Sequence, residues 1–151
     1  MADVVSPQKR SEMMSGIKGV DTKPEMLIRK ALHARGLRYR LHVKKMQGKP
    51  DLVFPKYKAV MFVHGCFWHK HGCPLFKWPK TREEFWRDKL TRNASRDVAN
   101  IQSLQAGGWR VVVLWECALR GKRKLPIDKV VDECVLWLLS SRQFLEITGF
   151  E

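Results

Sequence analysis

Acidic residues are scarce: 15 Asp and Glu stand against 29 Lys and Arg, giving a net charge of +14 and a pI near 10.0. Such a field disfavours basic partners and favours polyanions, of which nucleic acid is the commonest that a basic domain meets. An anionic membrane or an acidic protein would satisfy the same charge. Long apolar runs are also missing. The longest, AVMFV at 59–63 and VVVLW at 111–115, are strand-sized, far short of the ~20 residues that span a bilayer. The opening stretch MADVVSPQKRSEMMSG holds no apolar core of signal-peptide length; the chain therefore reads as cytoplasmic, without a membrane partner. Internal repeats and low-complexity tracts are absent, which excludes a solenoid and argues against a disordered chain. Cysteine is limited to four. In a reducing compartment these read as metal ligands, a catalytic thiol or core, rather than disulfides.

What is present fits one domain. Residues 1–20 are polar and basic and read as an arm, and 21–151 as a single globular unit. From Thr22, the spacing of Pro24, Leu27, Ile28, Ala31 and Leu32 predicts a helix closed at Gly36. Residues 37–43 alternate as a short strand, and 52–54 and 59–63 read as strands joined by the turn PKYK. Thr81 with Glu84 predicts a capping box for a long helix carrying Phe85, Leu90, Ala94, Val98, Ile101 and Leu104, ending at Gly107-Gly108. A buried strand at 109–116 and a helix over 126–140 follow. The order αββαβα predicts a small α/β fold with a mixed sheet flanked by helices. Cys134 falls on the apolar stripe of the last helix and reads as core.

A tight turn centred on Tyr57-Lys58 would set Asp51 directly across from His64. A sheet carboxylate is an oxygen ligand for magnesium, and a carbonyl on the next strand is another. Such a pair suits phosphodiester hydrolysis, in which a cation polarises the phosphate and activates water. A turn Asp and a strand-end His fit the same residues. Pro50-Asp51 also resembles the first element of the PD-(D/E)xK nuclease core. The second element falls on Phe62-Val63-His64, with Phe62 in place of a carboxylate and His64 in place of Lys. That leaves the Val63 carbonyl as the second ligand. Glu25 is a supporting carboxylate or a first-turn residue that complements the helix dipole.

The run HGCFWHKHGCPLFKWPK at 64–80 has no structural period. Cys66, His69, His71 and Cys73 lie within it and Cys117 ends the later strand; thiolate and imidazole are ligands of tetrahedral zinc. A site filled by protein ligands would be structural and would order the aperiodic loop. Spacing does not decide which histidine is the ligand. If His71 serves with Cys73, His69 is free to act as a general acid or base oriented by Asp97 from the long helix.

Taken together, these segments resemble the very-short-patch repair (Vsr) DNA mismatch endonucleases. The likeness runs through RS-x-x-M-x-x-I at 10–17, DT-x-x-E at 21–25, G-x-PD at 48–51 and HGCFWH-x-H-x-C at 64–73. It continues through EFW at 84–86, RD at 96–97 and GWRV-x-x-x-WECALRG at 108–121. The 124–151 tail adds nothing to it. The resemblance implies a restriction-endonuclease-like domain that nicks one strand 5′ of the T in a T:G mismatch, leaving a 5′-phosphate and a 3′-hydroxyl. It implies catalytic Mg2+ on Asp51 and the Val63 carbonyl, His69 paired with Asp97, His64 on the scissile phosphate and Glu25 in support. Structural Zn2+ would sit on Cys66, His71, Cys73 and Cys117. Phe67, Trp68 and Trp86 would wedge into the base stack, with Met14 entering from the opposite side. Lys89, Asn93, Glu116 and Arg120 are implied as readers of the flanking bases. Implied partners are mismatched duplex DNA, other mismatch-repair proteins and a repair polymerase, with the protein acting as a nucleoid-associated monomer. A homing or restriction-type double-strand endonuclease, a non-catalytic zinc-stabilised DNA-binding protein and an RNA-binding zinc module are the competing readings.

Overall fold

The computed structural model describes residues 21–150. The N-terminal arm, with Met14, lies outside the described residues. Helix α1 (Lys23–Ala34) starts where Thr22 Oγ1 accepts the Glu25 N–H, with Pro24 in the first turn. It stops at Gly36, whose φ of 93° is the left-handed conformation that the sequence placed there. Its buried face is Ile28, Leu32 and one carboxylate, Glu25.

One five-stranded sheet follows the order β1 (Arg40–Leu41), β2 (Leu52–Phe54), β3 (Ala59–His64), β4 (Arg110–Trp115), β5 (Phe144–Ile147). The first three strands are antiparallel, and β3, β4 and β5 run parallel. Helix α2 (Glu83–Ala106) makes the crossover from β3 to β4, and α3 (Ile127–Leu138) the crossover from β4 to β5. The parallel pair is covered on both faces, which is why its sequences are continuous apolar runs rather than alternating ones. Met61, Val112 and Leu114 face Ile28, Leu32, Val131, Cys134 and Trp137 on one side. Val60, Phe62, Val111 and Val113 pack with Leu104 of α2 on the other. Cys134 is core, 1% exposed.

Four expectations need correction. The β2–β3 hairpin pairs Phe54 with Ala59 and Leu52 with Met61, two residues out of the register that would oppose Asp51 and His64. The cause is a 3-10 turn over Pro55–Tyr57 closed by Lys58 in the left-handed region (φ 50°), which lengthens the connection from the expected two residues to four, 55–58. The capping box does not form: α2 begins after Arg82, which has φ 51° and makes no side-chain cap. Phe85 and Val98, expected on the buried stripe of α2, are 41% and 56% exposed. The tail contributes an edge strand, β5, that the sequence pattern did not show. Among the described residues no helix is long and apolar enough to cross a membrane.

Candidate active site and metal centre

The carboxyl end of β3, the loop after it and α2 enclose a cleft of about 720 Å³, lined by Val63, His64, Phe67, Trp68, His69 and Lys89, among others. This is the end of the parallel strands, where α/β sheets place their sites. His64 is the last residue of β3 and is 5% exposed. Its ring stacks on His69, centroids 3.8 Å apart and 8° from parallel, and meets the edge of Trp115 at 5.2 Å. Burial first, then the neighbouring imidazoles His69 and His71, hold His64 well below the usual histidine range. Its Nδ1 is buried without a hydrogen-bond partner.

His69 Nδ1 lies 2.5 Å from Asp97 Oδ2, across from the middle of α2. The carboxylate accepts from Nδ1–H and leaves Nε2 as the free ring nitrogen, an arrangement that orients an imidazole for proton transfer. Asp51 does not oppose His64. It lies just before β2, with its N–H on the Met61 carbonyl (3.0 Å) and its Oδ2 on the Val63 N–H (2.7 Å). The carboxylate and the Val63 N–H are therefore brought together by a route other than the predicted register. Burial pushes the Asp51 carboxyl up to about 7, against the Val63 hydrogen bond, with the Glu25 carboxylate adding to the rise.

Cys66, His71, Cys73 and Cys117 present ligand atoms that all lie within 4.8 Å of one another. His71 Nδ1 is 3.5 Å from Cys66 Sγ and 3.7 Å from Cys117 Sγ. A tetrahedron with metal–ligand bonds of about 2.0–2.3 Å has edges of about 3.5–3.8 Å, so the cluster has the dimensions of a closed four-ligand site. Burial raises the Cys66 and Cys117 thiols, so these two keep their protons unless a cation draws them off. The Gly149 N–H points at Cys117 Sγ (3.3 Å), and a Cβ at Gly149 would lie 2.6 Å from the Cys117 and Arg123 carbonyls. The tail thus closes the outer side of this cluster, and only glycine fits there.

Residues 2–75 match the family described as DNA mismatch endonuclease Vsr. The chain is 44% identical over 138 residues to the DNA mismatch endonuclease Vsr of Escherichia coli (strain K12), covering 91% of this chain and 88% of that one. This chain belongs to the Vsr family. It is also 45% identical over 119 residues to the type II nicking enzyme V.XorIIP of Xanthomonas oryzae, covering 79% and 88% of the two chains. Against the type II nicking enzyme V.NmeAIP of Neisseria meningitidis it is 46% identical over 122 residues, covering 81% and 87%. The Vsr family is a family of nucleases, so this chain is a DNA endonuclease.

In this Vsr-family chain Phe67 and Trp68 sit on the cleft wall rather than in the core, with Trp86 packed against them. Phe67, Trp68 and Trp86 are half-buried and lean on one another with centroids 5.1–5.8 Å apart. Lys89 and Arg120 line the same cleft. Asn93 and Glu116, expected as base readers, have structural work as well: Asn93 Nδ2 donates to the Trp68 carbonyl (3.1 Å) and Glu116 Oε1 accepts the Cys66 N–H (3.1 Å). Glu116 Oε2 also pairs with Arg120 at 2.8 Å. Glu25 is 1% exposed and bonded to Arg29 and His42, outside the cleft lining.

Sequence reasoning missed His42, Arg29, Trp115 as a site residue, and Glu146. Trp115 stacks on His71 at 4.0 Å and gives its Nε1–H to Glu146 at 2.9 Å, fixing the histidine ring that faces the cysteines. The tryptophan in WEC was visible as part of a motif, but only the parallel pairing of His64 with Trp115 shows what it touches. Asp21, Glu25 and His42 form a further cluster of metal-ligand dimensions. Arg29 already supplies its cation, 2.6 Å from Asp21 and 3.1 Å from Glu25.

Proposed function

We propose that this Vsr-family protein is a magnesium-dependent, strand-specific endonuclease that nicks 5′ of the T in a T:G mismatch and so starts very-short-patch repair. The observation that carries the reading is the His69–Asp97 pair stacked on His64 at the floor of a cleft walled by Phe67 and Trp68. The names of relatives as nicking enzymes favour a cut in one strand.

Asp51 and the Val63 carbonyl would hold Mg2+, which suits a hard cation that takes one or two carboxylates and keeps several waters. Bound there, the ion would supply Lewis-acid polarisation of the scissile phosphate and an acidified water. His69 exchanges a proton through Nε2 while Asp97 keeps the tautomer and the ring plane. His64, neutral and fixed by Trp115, offers a hydrogen bond to the phosphate without competing for the proton. Glu25 keeps the surroundings of Asp51 anionic. The residues in and beside the cleft thus divide into cation holding, proton transfer and phosphate positioning, on a mixed sheet that suits a restriction-endonuclease-like core.

Zn2+ is the ion that fits Cys66, His71, Cys73 and Cys117, because three sulfurs and one imidazole form a soft, closed set with no position left for water. Its role would be to hold the loop that presents Phe67, Trp68 and His69. The aromatics would act on the base stack. Opening a step costs a few kcal/mol and costs least at a mismatch, so wedges sense T:G by deformability. The basic surface would add sequence-independent phosphate attraction. Cleavage of a T:G duplex in magnesium by the parent protein, and not by Asp51→Ala that still binds the duplex, tests this reading. Turnover by Asp51→Ala would remove the cation assignment.

A further inference from the structure

We propose that His42 is a positioning residue that holds Asp51 and Glu25 in the arrangement that receives a divalent cation. The inference rests on reading Asp51 as the carboxylate that binds that cation. His42 grips both partners at once. Its backbone N–H donates to the Asp51 carbonyl (3.2 Å), and its ring Nε2 lies 2.8 Å from Glu25 Oε2. One residue thereby ties the segment carrying Asp51 to the helix carrying Glu25.

The backbone conformation supports a selected role. β1 ends at Leu41, and His42 then takes φ 48°, a left-handed value uncommon for a residue with a side chain. Such conformations persist where surrounding contacts over-determine them, often at functional sites. Glu25 has little freedom once His42 is in place: Oε2 is bonded to His42 and Arg29, and Oε1 accepts the Asp21 N–H at 3.2 Å. Arg29 is shared with Asp21, and Glu25 already lies beside the Asp51 carboxyl, so the imidazole is the contact that orients Glu25 toward it. Removing the ring takes away the one of these holds on Glu25 that comes from the Asp51 side. Arg29 and the Asp21 N–H are left, which pull it toward Asp21, while no residue lining the cleft is altered. Residues that orient metal-binding carboxylates from behind act on affinity for the ion rather than on the chemistry.

The test uses the full chain and three variants. His42→Gly tolerates the positive φ and removes only the ring; His42→Asn also tolerates it but is too short to reach Glu25. His42→Gln places an amide N–H at the distance of Nε2. Mn2+ binding, read by electron paramagnetic resonance, and T:G nicking across a magnesium titration are measured for each. The expected result is a roughly 10–100-fold weaker Mn2+ affinity for His42→Gly and His42→Asn. The half-activating magnesium concentration rises in parallel, while the rate at saturating metal and duplex binding in chelator stay near the parent's. His42→Gln returns both titrations toward the parent. Parental Mn2+ affinity in the folded Gly or Asn variant, a fall in maximal rate without a shift in metal requirement, or failure of Gln to rescue would each overturn the proposal. Asp51→Asn serves as control: if it binds Mn2+ as the parent does, the metal assignment itself falls, and the inference with it.

Discussion

His64 lies flat against His69, ring centroids 3.8 Å apart, and only one of the two has a carboxylate partner. That asymmetry divides their work. Asp97 accepts from His69 Nδ1, while burial and the adjacent rings hold His64 well below the usual histidine range. In the proposed mechanism only His69 carries a proton, and His64 positions the phosphate.

The first prediction follows from that division. Asp97→Asn keeps the size of the side chain but offers His69 Nδ1 an amide in place of a carboxylate. Single-turnover nicking of a T:G duplex should fall by about 10²–10⁴-fold, with duplex affinity nearly unchanged. An unaltered rate would show that His69 does not move a proton in the rate-limiting step.

Asp51 supplies a pH signature. Its carboxyl is raised from 3.8 in the unfolded chain to about 7 in the folded protein, chiefly by burial. The folded state therefore holds the proton more tightly. Its stabilising contribution is fully present below about pH 4 and is lost as pH rises through about 7. In chelator, Asp51→Asn should exceed the parent in stability at pH 8 by roughly 2–4 kcal/mol, and the gap should close toward pH 4. Magnesium should narrow it at pH 8. Denaturation curves that track each other at every pH would contradict a carboxylate whose burial outweighs its hydrogen bond.

How much of this was legible in the sequence depends on the range of the interactions. The α1 boundaries, the strands at 59–63 and 110–115 and the glycines ending α2 follow from local rules, and the pattern showed them. The Asp51 placement failed because a 3-10 turn at Pro55–Tyr57 leaves no period mark. The four-ligand cluster was readable as residue types, but choosing His71 over His69 needed the resemblance, and the structure's distances agree with that choice. His42 and Gly149 act through contacts with residues 17 and 32 positions away, which no motif announces.

The cluster of Cys66, His71, Cys73 and Cys117 makes a separate prediction. The parent should carry about one zinc per chain, and Cys117→Ser should lose it together with order in the 64–80 loop. Metal analysis and proteolysis of that loop check both. Protein purified without zinc, with the loop equally protected, would show that packing of Trp115 on His71 suffices.

Trp68 separates mismatch recognition from general DNA affinity. Its ring leans on Phe67 and Trp86 at the cleft wall and supplies no metal ligand. Trp68→Ala should lower T:G affinity by about 1–3 kcal/mol while leaving weak binding to paired DNA and its salt dependence in place. Loss of zinc and folding in this variant would make Trp68 a structural residue instead.

The central claim is tested most directly by mapping the cut. One duplex carrying a single T:G pair, labelled on each strand in turn, is incubated with the protein in magnesium or in chelator, beside the same duplex with T:A in that place. The account predicts one nick, 5′ of the mismatched T, on the T strand alone, leaving a 5′-phosphate, dependent on magnesium and absent from the T:A duplex. Cleavage of both strands, equal cutting of the paired duplex, or the same nick in chelator would contradict it.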